Sequence, residues 1–344
     1  MSRQRGELMT LEQRVGIAIT GSGSALPERM ITNDDLGQIV ETSDEWIATR
    51  TGIRQRRVIA PDGSLTDLAT QAGVKAIAAA GLAVTEIDLI ILATSTPDDL
   101  FGSAGTVQAG LGATRAVAFD LTAACSGFVF GLVTAAQFIR TGAYQNILLI
   151  GADVLSRWVD WGDRRTCILF GDGAGAVVLQ SNPVDQLLGF SMHSDGQLNH
   201  QLNLGYQGQA KPLMADVELS DGTFQSVTMN GQEVYRFAVR RVPEVVGKAL
   251  FQAGLPPEAI DWLVLHQANQ RILDAAASRL KVPPEKVLSN VANYGNTSAA
   301  TIPIVLDESV RQGKILPGQC LAMAGFGAGL SWGAAIVRWG KSEV

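Results

Sequence analysis

Three side chains able to do chemistry stand where helices begin or strands end: Cys125, His266 and Asn296. Cys125 follows a strand-like run, Val117-Ala118-Phe119-Asp120-Leu121. It opens an apolar helix over residues 127–139 in which only Thr134 and Gln137 are polar. A thiol at a helix N-terminus faces unpaired N–H groups and the positive end of the dipole. That predicts a thiolate, with a pKa below the free value. The apolar helix behind it predicts a nucleophile at the bottom of a pocket, although an inert core cysteine is the commoner use of the residue. His266 ends the buried run Trp262-Leu263-Val264-Leu265, at the strand end where ligands bind in α/β sheets. Asn296 lies in Tyr294-Gly295-Asn296-Thr297-Ser298, where an asparagine alone would be a turn or cap. His193 and His200 lie in a polar, Gly-rich stretch and read as loop residues.

Cysteine, histidine and asparagine in this chain order also serve papain-like proteases, but the local signature of that family is missing around Cys125. An apolar hole suits an acyl carrier better, since thiol and thioester are both soft and uncharged. His266 and Asn296 can each donate a hydrogen bond, and two neutral donors would hold a thioester carbonyl while an enolate forms on it. No acid stands nearby in sequence to act as general base, which favours a carbanion made by loss of CO2.

The elements that must position these residues are duplicated, about 172 residues apart. Ala80-Gly81-Leu82 precedes Ile87-Asp88 and the run Leu89-Ile90-Ile91-Leu92. Ala253-Gly254-Leu255 precedes Ile260-Asp261 and the run Trp262-Leu263-Val264-Leu265. Each reads as helix, glycine stop, short loop and buried strand. Cys125 lies 15 residues before Arg140, and Asn296 lies 15 before Arg311. Each half then closes on a Gly/Ala-rich hairpin, Gly171 to Leu179 and Gly325 to Val337. Alternating strands and helices predict mainly parallel sheets covered on both faces. Two such units sharing central helices make a five-layered α/β/α/β/α stack. The expected halves are 15–182, carrying Cys125, and 183–344, carrying His266 and Asn296. Cys125 and Asn296 then occupy equivalent helix starts, near one pseudo-twofold axis.

Composition agrees with a large layered enzyme: 344 residues, 47% hydrophobic, 17% charged, 37 glycines. Three cysteines without repeated spacing suit a reducing cytoplasm rather than a disulfide framework. No apolar run approaches the roughly 20 residues of a membrane span, and residues 1–14 read as a loose, charged cytoplasmic extension without a signal peptide's apolar stretch. A net charge of −6 argues against a nucleic-acid partner.

Ala123-Ala124-Cys125-Ser126-Gly127-Phe128, His266-Gln267-Ala268-Asn269 and Gly295-Asn296-Thr297-Ser298-Ala299-Ala300 resemble the three active-site motifs of the β-ketoacyl-acyl-carrier-protein synthase III family, of the thiolase fold. The likeness runs from about Val15 to the C-terminus. It includes Ser43 to Ile47, Thr49 to Ile53, Phe170 to Ala176 and Gly327 to Trp332. The resemblance implies initiation of fatty-acid synthesis. An acyl group, expected to be acetyl, passes from acyl-CoA to Cys125 and condenses with malonyl-acyl carrier protein, with no metal or other cofactor. It implies that Cys125 and His266 are catalytic, that Asn296 helps hold the malonyl thioester, and that backbone N–H groups of Cys125 and of the turn at Ala328 form an oxyanion hole. Ala328 departs from the family's glycine. Neighbouring families differ by residue type: elongating synthases have a histidine where this chain has Asn296, and thiolases a second cysteine where it has Phe326. A secondary-metabolism ketosynthase or acyltransferase on the same fold is the alternative. A non-catalytic partner subunit is disfavoured by the presence of all three reactive side chains.

The resemblance also places Trp46 against the adenine of CoA with Arg164 on its other side, and Arg50 and Asn269 along the CoA arm. Trp46 and Arg50 are four apart and share a helical face. Residues 236–286 carry eight Lys+Arg against five Asp+Glu, a basic rim suited to an acidic carrier protein, with Arg271 its best docking residue. Phe101 to Gly112 reads as a loop near the twofold axis of a homodimer, with Phe101 reaching the neighbour's acyl pocket.

Overall fold

The most apolar runs of the chain are buried on both faces, as a sheet sandwiched between helices requires. A computed structural model describes residues 15–341; the extension expected over residues 1–14 lies outside the described residues. Leu89–Ala93 and Asn146–Val154 are buried almost throughout and form the middle of a five-stranded sheet. Its spatial order is Gly16–Ala25, Asp172–Asn182, Asn146–Val154, Leu89–Ala93, Val117–Leu121. A four-stranded sheet follows the order Trp262–Leu265, Cys320–Gly327, Ser331–Arg338, Leu187–Ser194.

The sheets are mixed rather than mainly parallel. Leu89–Ala93 runs parallel to both its neighbours, and Trp262–Leu265 runs parallel to Cys320–Gly327. The remaining pairings in these two sheets are antiparallel. The reason is connection length: only residues 328–330 join Cys320–Gly327 to Ser331–Arg338, too few for the crossover that a parallel pair needs.

Helices close the sheets into five layers, α/β/α/β/α. Leu65–Ala79 and Ala104–Leu111 cover the outer face of the first sheet, and Gly231–Ala253 with Gln270–Leu280 cover that of the second. Gly127–Arg140 and Thr301–Arg311 fill the middle layer and touch strands of both sheets. Ala104–Leu111 corrects the loop expected over Phe101 to Gly112: the segment is helical and stops at Gly112, whose φ of 72° is the left-handed value glycine accepts. His193 likewise belongs to a strand, stacked on Trp332 with ring centroids 5.4 Å apart.

The middle layer is pinned by buried polar contacts. Asp307, on Thr301–Arg311, accepts the hydroxyls of Ser22 (3.0 Å) and Ser24 (2.6 Å) and pairs with Arg311. Arg56 is fully buried and donates to Asn33 Oδ1 and to the carbonyls of Ile31 and Ile168. It ties an early segment to the chain just before Phe170.

Glycines set how closely the two halves meet. A Cβ at Gly151 would lie 2.3 Å from the carbonyl oxygen of Ala299, and one at Gly327 would lie 2.6 Å from the Cys125 nitrogen. Both obstacles are backbone, which cannot swing aside. Gly151→Ala should therefore destabilise the fold by about 1–3 kcal/mol, as overpacking does. Urea unfolding checks this, and an unchanged midpoint would contradict the contact.

Candidate active site

Cys125, His266 and Asn296 line one cavity of about 620 Å³, with Phe326, Leu169 and Phe170 among its apolar walls. The first strand half ends at Leu121, and the chain then tightens into a 3-10 turn, Ala124–Ser126, that runs into the central helix. Ala124 takes a φ of 46° at this corner. Ser126 fixes the corner by donating to the Ala123 carbonyl (2.6 Å) and meeting the Ser331 hydroxyl at 2.6 Å. The Cys125 thiol donates to Ser298 Oγ at 3.3 Å.

The thiol is not the depressed one expected from its helix position. Burial pushes it up to about 12, and the negative charge of Asp153 adds to the rise. Desolvation outweighs the helix N-terminus here, so Cys125 rests protonated.

His266 begins where the strand Trp262–Leu265 ends, and its backbone N–H still bonds Ala324 O at 2.8 Å. Its Nδ1 lies 2.7 Å from Thr301 Oγ1, which also donates to the Ser298 carbonyl at 2.9 Å. A hydroxyl has one proton, and Thr301 spends it on that carbonyl. Nδ1 must therefore be the donor, and the neutral ring offers Nε2 as a lone pair. This corrects the expectation of a neutral donor: His266 donates from Nε2 only when protonated. Burial holds the ring well below its usual range, at about 3.

Asn296 is held by backbone on both sides, its N–H bonding Leu169 O (2.8 Å) and its carbonyl accepting from Gly171 N–H (3.1 Å). Its side-chain oxygen accepts from Ser298 N–H at 2.8 Å, which leaves Nδ2 as the donor the amide can present.

An acid distant in sequence stands behind the thiol, outside the cavity lining. Asp153, at the end of Asn146–Val154, is fully buried. Its Oδ1 accepts from Thr94 Oγ1 (3.2 Å), Ser95 N–H (2.8 Å) and Thr96 Oγ1 (3.0 Å), and its Oδ2 from Ala299 N–H (3.1 Å). Burial raises its pKa, while hydrogen bonds, that from Ser298 first among them, lower it in part.

At the mouth, two guanidinium groups approach the Trp46 ring, with Arg50 Cζ 4.3 Å and Arg164 Cζ 5.1 Å from its centroid. Asn269 donates to the Arg50 carbonyl (3.1 Å) and caps the helix Gln270–Leu280. Arg271 is exposed and lies 5.3 Å above the Tyr235 ring. Arg50, Asn269 and Arg271 line the cavity with the three central residues, whereas Trp46, Arg164 and Ala328 do not. Phe101 is apart from it and fully exposed. Sequence reasoning missed Arg165, which lines the cavity, and the inner residues Asp153, Ser298 and Thr301. Ser298 stood within a quoted motif, and its φ of 52° is not visible in a string of letters.

The neutral His266 has a consequence for stability. Unfolding releases a ring that titrates near 6.5, so below that pH the unfolded chain binds a proton the folded one refuses. Stability contributed by this group is present above pH 6.5 and is lost as pH falls toward 3, by about 1.4 kcal/mol per pH unit. Urea unfolding from pH 6.5 to 4 should show a slope smaller by one proton in His266→Gln. Equal slopes would mean that the folded ring is already charged.

The chain matches known proteins over nearly its full length. A family profile described as 3-Oxoacyl-[acyl-carrier-protein (ACP)] synthase III matches residues 119–196, and its C-terminal counterpart matches 250–339. The chain is 68% identical to Beta-ketoacyl-[acyl-carrier-protein] synthase III of Trichormus variabilis, covering 96% of this chain and all of that one. The 3-oxoacyl-[acyl-carrier-protein] synthase III structure from Aquifex aeolicus superposes with a TM-score of 0.87 at 44% identity, covering 94% of this chain and all of that one. The priming β-ketosynthase of the R1128 polyketide pathway also gives 0.87, at 32% identity, covering 96% and 98%. With its thiol, imidazole and amide on one buried cavity, the chain belongs to the β-ketoacyl-acyl-carrier-protein synthase III family.

Proposed function

We propose that this chain starts fatty-acid synthesis by condensing an acyl-CoA, acetyl-CoA in the simplest case, with malonyl-acyl carrier protein. The observation that carries the reading is the convergence of a buried thiol, His266 and Asn296 on one largely apolar cavity. In the first half-reaction Cys125 attacks the acyl-CoA carbonyl, the carbon–sulfur bond to CoA breaks, and the acyl group remains on Cys125. Backbone N–H groups of Cys125 and Ala328 hold the oxyanion. In the second, the malonyl thioester loses CO2, its enolate attacks the acyl-Cys125 carbonyl, and the carbon–sulfur bond to Cys125 breaks, releasing the β-ketoacyl thioester and freeing Cys125. Asn296 Nδ2 donates to the enolate oxygen. The developing negative charge raises the proton affinity of His266, so that Nε2 takes up a proton from solvent, becomes the second donor, and gives that proton back once the oxygen's charge is discharged.

The mouth residues fit the two substrates. Trp46 offers a flat face to adenine, and Arg50 and Arg164 supply positive charge for CoA phosphates, with Asn269 holding the Arg50 backbone. Arg271, beside Arg236 on the cavity rim, faces the acidic carrier. Exposed Phe101 is assigned to a homodimer contact at the partner's acyl pocket. The halves 15–182 and 183–344 supply the thiol and the two donors respectively. The mechanism calls on no metal or prosthetic group, and its place is the cytoplasm; among the described residues no helix is long and apolar enough to cross a membrane. A secondary-metabolism priming role is the alternative. The 68% identity to a synthase III, against 32% to the polyketide priming synthase, favours fatty-acid initiation.

Mass spectrometry after exposure to acetyl-CoA should find one acetyl group on the wild type and none on Cys125→Ala; modification at Cys167 or Cys320 would overturn the assignment. His266→Ala and Asn296→Ala should still acylate but condense about 10²–10³-fold more slowly. Equal loss in both half-reactions would move them to nucleophile activation.

Arg271→Glu should raise the apparent KM for malonyl-acyl carrier protein and leave acylation from acetyl-CoA nearly unchanged. Added salt should weaken wild-type docking by screening the same contact. Both half-reactions measured across a salt series test this, and an unmoved carrier KM would place docking elsewhere.

A further inference from the structure

The two enolate donors come from different segments, and condensation needs them at one fixed separation. His266 follows a strand, whereas Asn296 sits on a turn whose backbone few residues could adopt. Gly295 takes φ 64° and ψ −153°, a region that is nearly glycine's alone and persists only where the surroundings hold it. A Cβ there would also lie 2.6 Å from the Leu169 carbonyl oxygen. After Gly295, the bonds of Asn296 to Leu169 and Gly171 hold the turn. Before it, the holding group is Glu308, half-buried on the helix Thr301–Arg311.

We propose that Glu308 is a positioning residue for condensation, clamping the turn that carries Asn296 to the loop packed against the His266 motif. An unbroken run of hydrogen bonds carries the inference. Tyr294, which precedes Gly295-Asn296, donates its hydroxyl to Glu308 Oε1. Asn290 Nδ2 donates to Glu308 Oε2 at 2.9 Å. The Asn290 backbone N–H donates in turn to Gln267 Oε1 at 3.0 Å. Gln267, the residue after His266, is fully buried, and its Nε2 donates to the carbonyls of Leu265 (2.7 Å) and Leu288 (3.2 Å). Its amide therefore ties the end of the strand before His266 to the loop at residues 288–290. Glu308 has both carboxyl oxygens engaged, one toward each donor's segment.

The helix closes the circuit. Thr301 and Glu308 are seven residues apart, so they share one face of Thr301–Arg311. Thr301 meets His266 Nδ1 at the start of the helix, and Glu308 meets Asn290 and Tyr294 about two turns later. One rigid element thus grips the His266 motif twice, directly through Thr301 and indirectly through Asn290 and Gln267. It grips the Asn296 turn through Tyr294. Burial, and then the bond to Glu308, push the Tyr294 phenol up to about 12, so it keeps the proton it donates near neutral pH. Neither Glu308 nor Tyr294 lines the cavity, so their effect on rate passes through the residues they hold. The Cys125 corner is fixed separately, by Ser126 against Ala123 and Ser331. The clamp therefore serves the second half-reaction.

The proposal deepens the condensation reading above and rests on it. Tyr294→Phe removes one hydroxyl and keeps the ring. Single-turnover condensation of acetyl-Cys125 with malonyl-acyl carrier protein should slow about tenfold in this variant, as a misplaced reacting group requires. Acylation by acetyl-CoA and the KM for the carrier should not move. Glu308→Ala frees both partners and should slow condensation about 10²-fold. Glu308→Gln should restore most of that loss, because its oxygen accepts from Tyr294 and its NH2 group meets the Asn290 amide turned to present oxygen. In an Asn296→Ala background, Tyr294→Phe should cost condensation nothing further, since no amide remains to be placed. A residue that only stabilised the fold would slow both half-reactions and would slow Asn296→Ala again. Either of those results would overturn the clamp, as would wild-type condensation in Tyr294→Phe. Should Glu308→Ala not fold, Tyr294→Phe alone and in the Asn296→Ala background decides the matter. If Cys125→Ala still takes up the acyl group, the acyl-Cys125 reading has failed. If the label stays on Cys125 and Asn296→Ala condenses slowly while Tyr294→Phe behaves as wild type, only the clamp has failed.

Discussion

Cys125 must lose a proton in a place where burial resists any charge, and much of the surrounding structure answers that conflict. The helix Gly127–Arg140 aims its N-terminus at the sulfur, yet desolvation still holds the thiol at about 12. A helix dipole contributes at most about 2 kcal/mol in partly buried geometries, whereas full burial shifts a titrating group by several pKa units. The dipole alone is insufficient. What remains is the company the sulfur keeps: uncharged donors, a buried carboxylate one residue removed, and a neutral imidazole.

The same logic separates the two reactive helix starts. The first half supplies a nucleophile that gains and loses charge. The second supplies Asn296, His266 and Ser298, which are neutral at rest and hold their orientation through backbone contacts. Thr301 is the small part on which this depends, since its one proton decides which nitrogen of His266 faces the cavity. A threonine at the first position of a helix would ordinarily be read as a cap or as packing.

Much of this was legible in the sequence, for definite reasons. Five layers follow from a repeated helix–stop–strand order, and the three motifs sit at strand ends and helix starts, where local patterning is strong. Trp46 and Arg50 share a face because a helix imposes it, and Asp44–Thr51 is that helix. What stayed hidden depends on tertiary register. Asp153 lies 28 residues from Cys125 and 145 from Ser298 in the chain, and nothing local marks it as their neighbour. The mixed sheets hid for a similar reason, since hydrophobic runs carry no sign of strand direction. The thiol's pKa was misjudged because a sequence shows the helix behind Cys125 but not how little water reaches it.

The glycines at the join carry a consequence for how such an enzyme can diversify. Gly151 and Gly327 leave backbone against backbone beside Ala299 and Cys125, so these two contacts have no side chain that selection can trim and no room for one to grow. Variation is channelled to the cavity walls, where Leu202, Met229 and Phe326 present replaceable apolar surface. Substrate choice can drift along those walls over evolutionary time while the distances at the sulfur stay fixed, an invariant hub inside an adaptable sleeve.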